Sequence, residues 1–396
     1  SSMSVAIPNP IQQALDSIIT DFAKTAVARD KSGGTPKIER DLLRQSGLLN
    51  ISTPIELGGA GLNWQQTLDT VRQLAQVDSS LAHVFAFHHL LLATTRLFGA
   101  PDQWQRWYRD SAKYRCFWGN ALNPLDQRTT SEARPGGRIF NGEKSFCSGA
   151  TDSQMLLASA IQKDAQGQNQ LVIAVLPSDR AGIHIYQDWN NMGQRQTDSG
   201  SVRFEYVVVD EYEVLTHPGP LSSPFACLRP LLAQLILTQI YLGIAEGALQ
   251  EAKHYTHTQT RRWSTSLAAT ALDDPYIVSR YGEFYLGLES ARLLNERATY
   301  LFDQAWQQEL DLSEQQRGEV ALAVTLAKLA AGRISLEVSS RLFEVCGARA
   351  TTATLGLDRY WRNVRVHSLH DPFDYKIKEL GDWQLNNRYP TPSFYS

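Results

Sequence analysis

The sequence predicts a mainly α protein with a central β-domain, in the order helices, strands, helical bundle. Two stretches of helical periodicity flank a stretch of short alternating runs, and the proline-rich segment from His217-Pro218-Gly219-Pro220 to Pro224 precedes the last of the three. With 396 residues, 43% of them hydrophobic, the chain can bury a large core and should divide into two or three domains. The spans expected are 1–112 for an N-terminal helical domain, 113–220 for a middle β-domain and 221–396 for a C-terminal helical bundle.

In the first span Ala14, Ile18, Ile19 and Phe22 make one apolar stripe, and Leu81, Val84, Phe85 and His88 make another. Between them, three glycines and a proline in Thr53-Pro54-Ile55-Glu56-Leu57-Gly58-Gly59-Ala60-Gly61 favour a loop. From Tyr114 to about Val214 short runs such as Met155–Ala158 and Leu171–Leu176 are punctuated by Gly, Asn and Pro, which suggests an antiparallel barrel or sandwich. A Met192-Gly193 turn leads into a run in which Val202, Phe204, Tyr206 and Val208 alternate onto one strand face. Helical segments at 229–260, 275–306, 313–347 and, shorter, near 371–386 suffice for a four-helix bundle; Leu231, Leu235, Thr238, Leu242 and Ala245 share a face of the first.

Composition removes several function classes. A net charge of -3 with dispersed Lys and Arg offers no basic stripe, so neither nucleic acid nor an anionic membrane is an expected partner. Cys116, Cys147, Cys227 and Cys346 stand far apart without a C-x-x-C pair, which argues against a zinc site or a disulfide framework and fits a reducing cytoplasm. The amino terminus lacks a charged segment followed by an apolar one, and no uninterrupted run reaches the roughly 18 apolar residues of a membrane helix, so a soluble cytoplasmic protein is expected.

Asp188-Trp189-Asn190-Asn191-Met192-Gly193-Gln194-Arg195-Gln196-Thr197-Asp198-Ser199-Gly200 is the most informative stretch, with backbone and hydroxyl groups ready to bond a polar ligand edge. Together with Pro54–Gly61, Asn120-Ala121-Leu122-Asn123-Pro124 and Gly142-Glu143-Lys144-Ser145-Phe146-Cys147-Ser148-Gly149, it resembles the acyl-CoA dehydrogenase superfamily. The matches fall in that family's order along nearly the whole chain. The resemblance implies an acyl-CoA dehydrogenase-like fold and a flavin covered by the middle domain.

Two departures set the chemistry the resemblance implies. A dehydrogenase removes a proton with a glutamate, often in a Y-E-G triplet of the last helical region. Here the corresponding stretch reads Arg362-Asn363-Val364-Arg365-Val366-His367-Ser368-Leu369-His370-Asp371-Pro372, with imidazoles in place of the carboxylate. An imidazole can donate a hydrogen bond to a peroxide or oxyanion, as a carboxylate cannot. At Phe343-Glu344-Val345-Cys346-Gly347-Ala348-Arg349-Ala350 the glycines that admit an adenylate arm are mostly gone and Arg349 offers a guanidinium for a terminal phosphate, which favours FMN over FAD.

With these substitutions the chain is most similar to two-component flavin monooxygenases of the dibenzothiophene monooxygenase type, notably at Trp118–Ala121, Phe146–Ala150, Arg195–Gly200, Asp274–Tyr276, Tyr281–Phe284 and Trp361–Pro372. That resemblance implies reduced FMN supplied by an NAD(P)H:flavin reductase, O2 as co-substrate, a C4a-hydroperoxide on the flavin, and oxygen transfer to an organosulfur compound such as a thiophene, sulfide or sulfoxide. It further implies a homotetramer. Carried over residue by residue, His370 and Ser148 should bond the reacting edge of the flavin with Asn120 and His88 in support. Phe146 and Trp189 should pack on the ring or the substrate, and Arg261 and Arg349 should reach the phosphate, from a neighbouring subunit.

Plainer readings stand beside these. His88 and His89 lie in an apolar helix where a histidine is more often a satisfied core residue. His254 with His257, or His367 with His370, have one-turn spacing but lack a third ligand, so no metal is expected. Ser148 lacks the G-x-S-x-G setting of a nucleophile. Trp118, Trp189 and Trp361 can serve packing alone, and Arg261 can be a solvated helix-end charge. The alternatives kept open are an acyl-CoA dehydrogenase with an atypical base, for which Glu246 is the candidate, a non-catalytic flavin-binding protein, and a monooxygenase acting on nitrogen or aromatic carbon.

Overall fold

Five helices open the chain in a computed structural model that describes residues 5–396: α1 (Asn9–Ser32), α2 (Lys37–Ser46), α3 (Trp64–Ala75), α4 (Ser79–Phe98) and α5 (Pro101–Tyr114). Residues 1–4, the start of the first expected span, lie outside the described residues. Leu15, Ile18, Phe22 and Ala26 form the buried stripe of α1, while Ala14 and Ile19 are only half-buried, so the face is rotated slightly from the expected one. Asn63 and Gln66 cap α3 reciprocally, and the Asp78 carboxylate accepts the Leu81 N–H at the start of α4. Every residue of α4 except Arg96 is buried. A helix covered on all sides has no unique apolar face, and this decides which of its histidines could be read correctly from periodicity.

The next segment forms one seven-stranded sheet: β1 (Trp118–Ala121), β2 (Thr130–Arg134), β3 (Gly137–Lys144), β4 (Met155–Lys163), β5 (Asn169–Pro177), β6 (Ile183–Ile185) and β7 (Val202–Asp210). Its pairs are antiparallel except where β4 runs parallel to β1 and meets β2 at Thr130 and Ile161. The expected alternation in β7 holds only for its first half. Opposite Asn141, β7 places two residues, Glu205 and Tyr206, and Tyr206 adopts φ 51° while its N–H donates to Asn141 Oδ1 at 2.7 Å. This bulge reverses the faces, so Val207 and Val209 are buried while Tyr206 and Val208 are exposed.

Four long helices follow: α6 (Leu228–Thr258), α7 (Pro275–Gln308), α8 (Glu314–Cys346) and α10 (Phe373–Asn386), with α9 (Asp358–His367) inserted before the last. The histidine-bearing stretch 362–372 is helical in its first part. Tyr360, Val364 and His367 recur at helical spacing and are buried, so the helix forms and the turn is confined to 368–372. By length and composition α6 could cross a membrane, yet 94% of its most apolar stretch is buried inside the protein, as in a core helix. It lies close against α3: a Cβ on Gly243 would stand 2.5 Å from Ala75 Cβ, and one on Gly247 2.1 Å from Gln76 O. The bundle is thereby seated on the helices that carry part of the site.

Candidate active site

Three segments meet around α4. The turn after β3 carries Phe146 at φ 57° and presents Ser148; the loop 194–200 has Gln194 and Asp198 at φ 48° and 50°. Non-glycine residues in this region are costly unless held by their surroundings. Here the hold is explicit. Asp198 accepts from Arg40 Nη1 at 2.7 Å, both residues buried, and from the half-buried Thr35 Oγ1 at 2.8 Å, and Gln194 N–H donates to Asn363 Oδ1 of α9 at 2.8 Å.

That bracing aligns a chain of side chains. His83 Nε2 lies 2.9 Å from Ser148 Oγ, which lies 2.9 Å from Ser199 Oγ, which lies 2.7 Å from Thr197 Oγ1. The His83 ring packs on Phe87 at 4.1 Å between centroids and meets His367 edge-on at 5.7 Å; His367 in turn meets Tyr241 at 5.1 Å. Burial, with the neighbouring His370 adding to it, holds the His83 imidazole down to about 3, and burial holds His367 well below its usual range. Both rings are neutral at physiological pH. His83 Nδ1 and His367 Nε2 are buried with no hydrogen-bond partner, an arrangement that a ligand would satisfy.

His370 sits at the edge of this group, partly exposed, with its ring 5.9 Å from that of Tyr395. Its Nδ1 lies 3.6 Å from Asp371 Oδ1. Asp371 also pairs with Lys328 of α8, which is almost fully buried. Burial alone would raise the Asp371 carboxyl, but the contacts with His370 and Lys328 outweigh it and bring the carboxyl down to about 2, while burial lowers the Lys328 ammonium to about 8. At neutral pH the pair is therefore ionised.

Of the expected residues, Ser148, Phe146 and Asn120 come together at one end of the sheet. Asn120 N–H donates to Ser148 O at 2.9 Å, and its side-chain oxygen accepts Leu122 N–H at 3.0 Å, leaving its NH2 as a donor. Phe146 is 64% exposed and meets Trp189 at 6.1 Å, while Trp189 Nε1 donates to Gln194 O at 2.8 Å. His88 is a correction. It is fully buried, its Nε2 2.8 Å from Leu49 O and its Nδ1 accepting Trp118 N–H at 3.1 Å, so both nitrogens are consumed by the junction of α4 with β1. The histidine of α4 that reaches Ser148 is His83, five residues earlier.

Arg261 and Arg349 do not join this cluster within the chain. Both are exposed, and the Arg261 loop is pinned to the end of α8 by Thr260 Oγ1 at 3.2 Å from Val345 O. Tyr241, against His367, lies 17 residues before the end of α6 at Thr258, a separation of about 25 Å along the helix. Glu246 is also a correction: Arg72 Nη1 and Arg292 Nη2 each approach its carboxylate at 2.7 Å, so it bridges α3, α6 and α7 as a counter-ion and is no free base. Among the described residues no group of three or more His, Cys, Asp or Glu is placed to hold a metal ion.

The chain matches the acyl-CoA dehydrogenase N-terminal domain over residues 9–114, the middle domain over 121–207 and the C-terminal domain over 235–375. It is 56% identical to the probable FMNH2-dependent monooxygenase SfnC of Pseudomonas putida over 98% of each chain. The chain belongs to the acyl-CoA dehydrogenase family, in its FMNH2-dependent monooxygenase branch. Methanesulfinate monooxygenase MsuC from Pseudomonas fluorescens superposes with a TM-score of 0.96 at 56% identity, covering 98% of this chain and all of that one. FMN-bound TdsC, a dibenzothiophene monooxygenase from Paenibacillus sp. A11-2, superposes with a TM-score of 0.93 at 40% identity, with 98% and 100% coverage.

The residues fit a reduced flavin. Phe146 and Trp189 leave an aromatic surface uncovered, as a ring face requires, and the Asn120 NH2 with two unpartnered imidazole nitrogens supplies polar atoms for a ring edge. FMN bound here supplies two electrons and activates O2 so that one oxygen atom is transferred and the other leaves as water. His83, Thr197 and Ser199 were not singled out as site residues in the sequence, although Thr197 and Ser199 lie inside its most informative stretch.

Proposed function

We propose that this monooxygenase oxidises a small alkanesulfinate to the sulfonate, taking reduced FMN from a separate NAD(P)H:flavin reductase. The overall balance is RSO2⁻ + O2 + FMNH2 giving RSO3⁻ + FMN + H2O. The observation that carries an oxygen-transfer reading is the pair of neutral, buried imidazoles, His83 and His367, with unpartnered nitrogens and no free carboxylate base beside them. The choice of a sulfinate rests on the 56% identity to a methanesulfinate monooxygenase.

In this reading Phe146 and Trp189 orient the ring, and Ser148, His83, His367 and His370 hold its reacting edge and the oxygen being transferred by hydrogen bonds. Phe87 and Tyr241 keep water away, since exposed reduced flavin in air yields hydrogen peroxide rather than product. Arg261 and Arg349 hold the phosphate of a flavin seated in a neighbouring subunit. The roughly 25 Å of α6 between Tyr241 and Thr258, beyond which Arg261 lies, supports this, as does the exposed apolar face of α7, where Tyr285, Leu286 and Leu293 are 65%, 70% and 58% exposed and offer a contact surface for a homotetramer.

The test combines the protein with a flavin reductase, NADH and FMN, and follows methanesulfinate, dimethyl sulfone, dibenzothiophene and indole by mass spectrometry. Sulfonate as the main product supports the proposal. Oxygenation of dibenzothiophene or indole in preference to the sulfinate overturns the substrate while leaving the reaction class intact.

A further inference from the structure

Beyond their presence in the site, the hydroxyls behind His83 carry directional information. The contacts run His83 Nε2 to Ser148 Oγ at 2.9 Å, Ser148 Oγ to Ser199 Oγ at 2.9 Å, Ser199 Oγ to Thr197 Oγ1 at 2.7 Å, and Thr197 Oγ1 to Gln194 O at 3.2 Å. Each hydroxyl has one proton to give, and the carbonyl at the far end has none. Only one direction makes all four bonds: Thr197 donates to Gln194 O, Ser199 to Thr197, Ser148 to Ser199, and the imidazole to Ser148. The reverse direction makes three and leaves the Thr197 contact with Gln194 O without a proton; Ser199 Oγ also lies 3.4 Å from Thr197 O, and donation there again gives four bonds only with the imidazole as donor.

We propose that Thr197 and Ser199 are positioning residues that hold His83 as its Nε2–H tautomer, so that the bare Nδ1 lone pair faces the ligand. Nδ1 is buried and unpartnered. In the reverse tautomer that buried atom would be an N–H without an acceptor, the rarer and costlier kind of orphan. The ring carries a single proton because burial keeps it neutral. What stands against Nδ1 is therefore a hydrogen-bond donor, an N–H or O–H, and not an oxyanion. On the functional reading above, the anionic oxygens of a sulfinate face other groups, such as the Asn120 NH2, and His83 receives a proton-bearing atom of the flavin or of the oxygen bound to it.

The tautomer is measurable without turnover. Solid-state ¹⁵N NMR on the intact protein labelled at histidine, with the His83 signals identified by their loss in His83→Gln, should show a pyridine-type Nδ1 and a pyrrole-type Nε2. A pyrrole-type Nδ1 overturns the proposal whatever the substrate proves to be. Ser199→Ala, which removes the group that takes the Ser148 proton, should give a mixture of the two tautomers, and Ser199→Thr should restore one. An unchanged single tautomer in Ser199→Ala overturns the positioning role. Loss of product with the tautomer intact would count against the functional reading and leave the proton assignment standing.

Discussion

Lys328 of α8 and Asp371 of the turn before α10 form a buried ion pair directly behind the exposed edge of His370. A pair so enclosed is costly to break from one side, by about 3–5 kcal/mol, because the remaining charge is left without a partner. Asp371→Asn is therefore expected to lower stability by an amount of that order, and Lys328→Met/Asp371→Leu by clearly less. Urea unfolding of the two variants beside the parent protein checks the sign of the coupling; equal losses in the single and double variants contradict it.

His83 and His88 separate by role despite sharing a helix. His83→Ala removes a ligand-facing acceptor and is expected to raise hydrogen peroxide release relative to product, with about tenfold loss in product formation if the lost hydrogen bond contributes about 1.4 kcal/mol. His370→Ala should uncouple in the same direction. His88→Ala instead deletes two bonds to backbone in the core, so it should destabilise by about 2–4 kcal/mol and leave the product-to-peroxide ratio of the folded fraction unchanged.

That contrast also shows where the sequence stopped being legible. The block order and the segment around Ser148 were readable because strand and helix periods differ and because Phe146–Ala150 and Arg195–Gly200 carry distinctive residues. His83 was not, since α4 is buried all round and no period distinguishes the side facing Ser148 from the side facing Leu49. Tyr206 was misplaced because a bulge inserts one residue into the alternation, which propensity does not signal. Glu246 looked available as a base until Arg72 and Arg292 arrived from two other helices, a tertiary fact with no local trace.

Four buried histidines should make stability fall with acid. Burial holds His83 at about 3, His89 at about 4, and His88 and His367 well below the ordinary value. Between these values and the unfolded value near 6.5 the unfolded chain binds protons that the native chain does not, so stability is fully present above about pH 6.5 and is lost as pH falls toward 4 and 3. Summed over the four groups, the loss between pH 7 and pH 5.5 should reach a few kcal/mol, on the order of one per group. Denaturant midpoints at the two pH values check this; a flat profile contradicts it.

The phosphate assignment predicts a selective loss. Reduced FMN should bind at least about tenfold more tightly than reduced FAD, a gap of about 1.4 kcal/mol. Arg261→Ala and Arg349→Ala should weaken FMN by an amount appropriate to a charged hydrogen bond, about 1.5–3 kcal/mol, while leaving riboflavin, which lacks the phosphate, nearly unaffected. Anaerobic titration of each flavin distinguishes this from a general loss of folding, which would weaken both.

The central claim is that this chain transfers one atom of dioxygen from a reduced flavin and does not dehydrogenate a thioester. Turnover of methanesulfinate under ¹⁸O2, with FMN reduced by a separate reductase, tests it most directly. The account predicts methanesulfonate carrying one ¹⁸O atom and no bleaching of oxidised flavin by acyl-CoA under anaerobic conditions. Sulfonate without the label, or rapid anaerobic bleaching by an acyl-CoA, would contradict it.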